Sequence, residues 1–546
     1  MASSTVLEMF GHFVFSFTRG VTDHYSPEEP EFTAESFGYN PLENTGREWY
    51  YHPVDELIYQ EYSDREAISL SYLASNRLDV EVINACLPQE EEEPVGGQED
   101  KIRAMAWKRF RPPALQTACE SMFIGAMISL LAASFIAAIF LSLSYVSFET
   151  LSISCTNGSV NGSFPVRMQW VRTISEEIAS AFYYFWSFFN VLLLFRPHQL
   201  TGVKRKLVLT SSVSYCLESA YRLSLQAVGK PYYMLPEIYR APMNTFFLSS
   251  VALLFYLIVR HLVRSPWKKV VFLICKMVVP FCLSFLIGQL VAGFLYPAYN
   301  KHDKDGKLLI AIFAPLAGVA LKVISRIGVQ RLWNITHPGY SYVLLVPLYF
   351  GSAVTFRVLQ ADLANGKLKE SLPPIAVLGI VHGAAEVIER STMVAIDHVC
   401  HQIWKRRLSP WGSFRTPRRE RLMADIAIIS MLFESTAIVC ANGYLYLYQF
   451  IHLEHSSPLK LLEEFAITTA VPLLIEWFFS SVSLAIETRY QNMPVMAVWR
   501  RRWKRHVLVA IVNVLPLAMW TSATMLVIVR GRFPNITNNF CKMPFT

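Results

Sequence analysis

Charge is scarce in this 546-residue sequence: Asp, Glu, Lys and Arg make up 17% of it, against about 25% in an ordinary soluble protein. Hydrophobic residues make up 53%, and several apolar runs are long enough to cross a bilayer as helices, which takes roughly 20 residues. A water-soluble globular fold is thereby excluded. Cations are nearly missing from the first 100 residues, which hold 4 Arg and no Lys against 21 acids. The other 446 residues hold 46 Lys and Arg against 21 acids. The net charge of +8 is an average over an acidic and a basic region, and gives no basis for nucleic-acid binding. A Walker loop, a GxSxG elbow and a GxGxxG turn between strand and helix are also absent. ATP-driven transport by this chain alone has no support in the sequence, and no cofactor is expected.

What is present reads as an all-α polytopic membrane protein in three parts. Residues 1–100 form an acidic, partly disordered cytoplasmic region, with turn formers at Ser26-Pro27-Glu28-Glu29-Pro30 and an acid-rich linker from Glu90 to Asp100. The opening MASSTVLEMFGHFVFSF lacks a basic n-region and is a poor signal peptide. Residues 101–530 form a bundle of about eleven spans, near 119–146, 174–195, 207–228, 244–262, 270–296, 308–325, 341–358, 373–396, 424–450, 466–488 and 507–529. Residues 531–546 form an extracytoplasmic tail. The third span is the weakest, because Ser211, Tyr215, Glu218, Arg222 and Gln226 interrupt it. These share one helical face, so the segment reads as a buried amphipathic span.

Orientation follows from the basic residues. Alternate loops, beginning with 101–112, carry 29 Lys and Arg, against about 13 on the other side. The basic side is expected to be cytoplasmic, with the N-terminus inside and the C-terminal tail outside. The sequons at Asn157, Asn161 and Asn535 then fall outside and are candidate glycosylation sites, while Asn334 falls inside. Cys155 and Cys541 are the two of nine cysteines on the expected outside, where an oxidising compartment allows a disulfide between them. This topology places the protein in the plasma membrane or the membranes of the secretory pathway. Trp followed by two cations recurs at Trp107, Trp267, Trp404, Trp499 and Trp503. Indole beside cations is favoured where anionic lipid headgroups meet the bilayer core.

Ionisable residues inside the apolar segments mark the candidate site. His382, Glu386, Glu389, Arg390 and Asp397 fall within roughly 100° of arc on the eighth span, with Met393. A charge at bilayer depth costs at least ~2.5 kcal/mol, so this stripe should face protein or a water-filled path. Glu386 and Arg390 are four apart, as are Glu218 and Arg222, which is ion-pair spacing. Such pairs serve equally well to lock helix packing. Glu434 and Glu476 have no nearby cation in their own helices, and burial favours their neutral form, as a proton or cation relay requires. Thr469, Glu476, Ser480, Ser483 and Glu487 share a face of the tenth span. Prolines at 280, 315, 347, 472 and 516 free backbone carbonyls within spans.

Glu386-x4-Ser391-x3-Ala395-Ile396-Asp397 also aligns with Glu476-x4-Ser481-x3-Ala485-Ile486-Glu487, a degenerate parallel repeat or chance similarity between apolar helices. At the end of the eighth span, Asp397, His398 and His401 form a weak metal candidate without a clear third and fourth ligand.

Three readings stay open. The leading one is a transporter of a small solute or ion, coupled to protons or cations through His382, Glu386, Glu389, Arg390, Glu434 and Glu476, with Glu218 and Arg222 as a further pair. The second is a lipid-modifying or lipid-moving membrane protein. The third is a receptor or channel with a partner site in residues 1–100.

Overall fold

The computed structural model describes residues 113–532, apart from the connecting stretches 152–165, 231–236, 263–265, 302–303, 333–335, 364–367, 406–416 and 453–456 and a few single connecting positions. Every regular element among the described residues is helical. The long helices are α1 (Ala114–Leu131), α2 (Ala137–Leu151), α3 (Val166–Leu194), α4 (Lys204–Ala227), α5 (Glu237–Leu262), α6 (Trp267–Leu290), α7 (Lys304–Gln330), α8 (Val346–Leu363), α9 (Leu368–Lys405), α10 (Pro417–His452), α11 (Pro458–Arg489) and α12 (Val495–Arg532). Among the described residues, six stretches are long and apolar enough to cross a membrane: Ala114–Thr150, Val166–Leu194, Thr245–Leu262, Leu309–Gln330, Arg419–Ile451 and Pro458–Arg489. α4 falls short of that measure, with Ser211, Tyr215, Glu218 and Arg222 interrupting its apolar sequence.

The chain divides into two compact units. One is built from the residues up to Ile124 together with Ile388–Ala427 and Ser481–Trp503. It is held by a two-bond pair in which Arg390 Nε and Nη2 donate to the Glu487 carboxylate at 2.9 and 2.7 Å. Close by in sequence, Gln491 Nε2 donates to the Ser391 carbonyl at 2.6 Å. Arg421 pairs with Asp425 one turn along α10 at 3.2 Å.

The other unit comprises Gly125–Val387, Ile428–Ser480 and the chain from Lys504, and its helices have their polarity turned inward. On α4, Ser211, Glu218, Arg222 and Gln226 are buried, while Val208, Leu209, Val213 and Leu217 are exposed. α3 does the same: Thr173, Glu177, Ser180 and Tyr184 are buried, and Ile174, Ile178 and Phe185 are exposed. In water this arrangement would leave apolar area unburied on both helices. Against lipid tails it is the stable one, because the tails solvate the apolar side and the polar groups pair inside.

α4 ends cleanly at Gly229, whose positive φ of 78° suits a residue without Cβ. There the Lys230 N–H reaches back to the Leu225 carbonyl at 3.0 Å. The most enclosed helices are α8 and α10; within this unit, every residue from Ile428 to Ala441 is buried.

Lipid tails are as apolar as Leu, so burial of apolar area does not drive helices together inside a bilayer; close packing and hydrogen bonds do. Both are visible here. Phe350 of α8 stacks on Phe433 of α10, centroids 4.7 Å apart. Between α1 and α2 a π turn, Ala132–Ile136, loosens the backbone ladder, and Thr436 of α10 donates to the Ala132 carbonyl at 3.5 Å. α9 meets α11 through Gly379 and Gly383, four residues apart. A Cβ on Gly383 would stand 2.4 Å from the Phe479 ring, so only hydrogen fits there. Gly383 lies one residue from His382 and Phe479 three from Glu476, so this contact helps set the distance between the two helices at the charged residues.

Candidate functional site

Five helices of the larger unit bring their ionisable residues together. Arg357 of α8 donates from Nη2 to Glu476 Oε2 of α11 at 2.6 Å and to Glu434 Oε2 of α10 at 3.3 Å. His382 of α9 places Nε2 3.3 Å from the same Glu434 oxygen. Lys322 of α7 lies within electrostatic reach of Glu434. Glu476 is further held by Ser480, whose hydroxyl donates to Oε1 at 3.1 Å. Arg357 and Glu434 are 4% exposed and Glu476 is 1% exposed, so the cluster is sealed from the apolar surroundings of the helices.

Beside it lies a small, partly open cleft of about 30 Å³, room for roughly two waters. Its polar lining is Arg357, Gln360, Asn442 and Thr468, and its apolar lining includes Ile375 and Ile438. Pro472, also in the wall, explains part of the architecture. It has no N–H to offer the carbonyl four residues earlier, which belongs to Thr468. Asn442 Nδ2 donates to that Thr468 carbonyl at 3.2 Å, so a side chain from α10 replaces the bond that Pro472 cannot make.

A second cluster in the same unit sits between α3 and α4. Glu218 accepts from Ser180 Oγ at 2.7 Å, Tyr184 Oη at 2.8 Å and Arg222 Nη2 at 2.8 Å. Glu177 is 3.3 Å from Arg222 Nε, and Thr173 donates to the Gln226 amide oxygen at 2.9 Å.

These positions correct two expectations. Glu434 and Glu476 were expected to be without a cation, and both are paired. The cation comes from another helix, which spacing along a single helix cannot reveal. Arg357 was not among the expected site residues: it stands at the end of the 341–358 segment, where an arginine reads as an interfacial flank. In the structure α8 continues to Leu363, which puts Arg357 inside the helix. Secondly, Arg390 has a cross-helix partner in Glu487, beyond the expected Glu386 four residues back. Glu386 is buried and accepts from Ser430 Oγ at 3.4 Å.

The Glu218–Arg222 spacing did correspond to an ion pair. The α3 half of that cluster was missed, although Thr173, Glu177, Ser180 and Tyr184 recur at helical spacing and were legible as a stripe. Glu389 is partly buried and has no place in either cluster.

Asp397 and His398 are buried, and burial, followed by the positive charge of Arg419, pushes the His398 imidazole below its ordinary pKa. The His401 side chain lies outside the described residues, and among those described no three metal-binding side chains converge. Six cysteines are described, and none of them forms a disulfide. Cys155, Cys541, Asn157, Asn161, Asn334, Asn535 and the acidic region 1–100 lie outside the described residues. Of the Trp-cation positions, Trp267 and Trp503 are exposed and Trp499 is buried.

The fold and site define a class: a multi-pass helical membrane protein with charged residues buried between its helices. No protein-family profile, curated protein or solved structure matches the chain.

Proposed function

We infer that the protein is a transporter of a small solute, coupled to protons through the Arg357 cluster. The observation that carries this reading is one buried guanidinium shared by two glutamates at the edge of a cleft walled in part by Pro472 of α11. Buried charges inside membrane helices mark substrate and ion paths. Glu434 faces three cationic or potentially cationic groups, Arg357, His382 and Lys322. Glu476 faces Arg357 alone among the described residues, plus the neutral Ser480. Glu476 is therefore the proton carrier in this reading. Its protonation releases Arg357 Nη2, and its deprotonation takes that group back. Glu386, Glu389 and Arg390 stand along the same α9 stripe. The topology that goes with this function has eleven spans, a cytoplasmic N-terminal region and an extracytoplasmic tail, with basic loops against anionic lipid.

Uptake into proteoliposomes tests the reading. A panel of radiolabelled amino acids, sugars, hydroxy acids and nucleosides is offered under an inwardly directed proton gradient to wild type, Glu476→Gln and Glu434→Gln. The expected result is gradient-dependent accumulation of one class, lost in Glu476→Gln while the melting temperature holds. Equal accumulation in wild type and both variants would falsify the relay.

A further inference from the structure

Resting on the transport reading of this cluster, we propose that the cleft binds a small organic carboxylate, its anionic head on Arg357 and its apolar body against Ile375 and Ile438. Among the described residues, the polar lining of the cleft contains one cation, Arg357, and no acid; Gln360, Asn442 and Thr468 supply the rest. Such a wall offers donors to an anion and no countercharge to a cation. The second observation is on Arg357 itself. The residue is 4% exposed, and its Nε–H meets no acceptor among the described residues. A buried donor with no acceptor calls for an explanation, and here the donor belongs to the cation that lines the cleft. Nη1 donates to Gln360 Oε1 at 3.1 Å, and Nη2 is held by the two glutamates.

A guanidinium binds a carboxylate best through two parallel N–H bonds, and Nε with Nη2 forms one such edge. Nη2 is the group that Glu476 gives up on protonation. Proton arrival thus completes the edge whose Nε–H is already without an acceptor, and the substrate carboxylate takes the place of Glu476 there. One proton rests on Glu476, one carboxylate rests on Arg357, and the pair moves without net charge. The same chemistry explains why two acids compete for one arginine. In the empty cleft Glu434 and Glu476 neutralise Arg357, and in the loaded one Glu476 is replaced by the ligand.

The test is the melting temperature of the detergent-purified full-length protein at pH 7, since a ligand that binds only the folded form must raise it. The probes are butyrate and phenylacetate, with butyramide as the uncharged match, butylammonium as the cationic match and sodium chloride as the ionic-strength control. The proposal expects a saturable rise with the two carboxylates and none with the other three. Arg357→Gln should abolish the rise. Because that variant leaves two buried carboxylates without their cation and can fail to fold, Gln360→Leu is measured beside it; its half-maximal concentration should rise about tenfold. Stabilisation by butylammonium in place of the carboxylates would overturn the carboxylate assignment and leave the transport reading standing. So would an unaltered carboxylate response in Gln360→Leu and Arg357→Gln, which would place the ligand elsewhere. Absence of any shift overturns the assignment too, and the uptake panel then shows separately whether the transport reading falls with it.

Discussion

Arg222 and Arg357 belong to the same compact unit, and each faces two glutamates, but the two clusters are finished differently. Around Arg222 the central acid, Glu218, has three short bonds from Ser180, Tyr184 and Arg222 itself, and all of them come from just two neighbouring helices. Around Arg357 a single nitrogen serves Glu476 at 2.6 Å and Glu434 at 3.3 Å, with the charged groups drawn from α7, α8, α9, α10 and α11. A cleft adjoins that arginine. In the first arrangement Glu218 is saturated: moving any of its three donors leaves a buried donor or acceptor without its bond. The second has a built-in alternative, because either glutamate can hold the arginine while the other is released. Buried charge alone therefore does not mark a working site. The distinction lies in whether the partners have somewhere else to go.

The largest expected effect breaks the saturated cluster. Glu218→Leu removes the acceptor of three buried donors and should lower stability by about 3–5 kcal/mol, read as lost yield or a much lower unfolding midpoint. Gly383→Val comes next. It places a side chain where the Phe479 ring already stands, at about 1–3 kcal/mol for overpacking, and by separating α9 from α11 it should weaken uptake as well. Tyr184→Phe deletes one bond to a carboxylate, and about 1.5–3 kcal/mol is the expected loss, with transport unchanged in folded protein. The smallest stability effect, under about 1.5 kcal/mol, belongs to Glu476→Gln. Arg357 keeps Glu434 there, and the effect to look for is in transport. If Glu476→Gln proved as destabilising as Glu218→Leu, the contrast between the two clusters would disappear.

Much of this was legible along the chain. The inward stripes on α4 and α9 follow from helical spacing, since Glu218 and Arg222, or Glu386 and Arg390, fall on one face whatever packs against it. The carbonyl freed by Pro472 follows from its missing N–H. What could not be read is which stripe meets which. Arg357 answers Glu476 from 119 residues away, and Arg390 reaches Glu487 from 97 away. The hydrogen-sized gap at Gly383 depends on the ring of Phe479 in another helix. Periodicity gives a residue its face, whereas charge pairing in a bundle is decided by the neighbour that face meets.

The account is tested most directly by measuring net accumulation and equilibrium exchange of the transported solute side by side in Glu476→Gln proteoliposomes. If Glu476 carries the coupling proton, gradient-driven accumulation is lost while exchange at equal pH on both sides continues, because the arginine and the cleft remain. Accumulation at the wild-type level would contradict the account and return the Arg357 cluster to the same static role as Arg222.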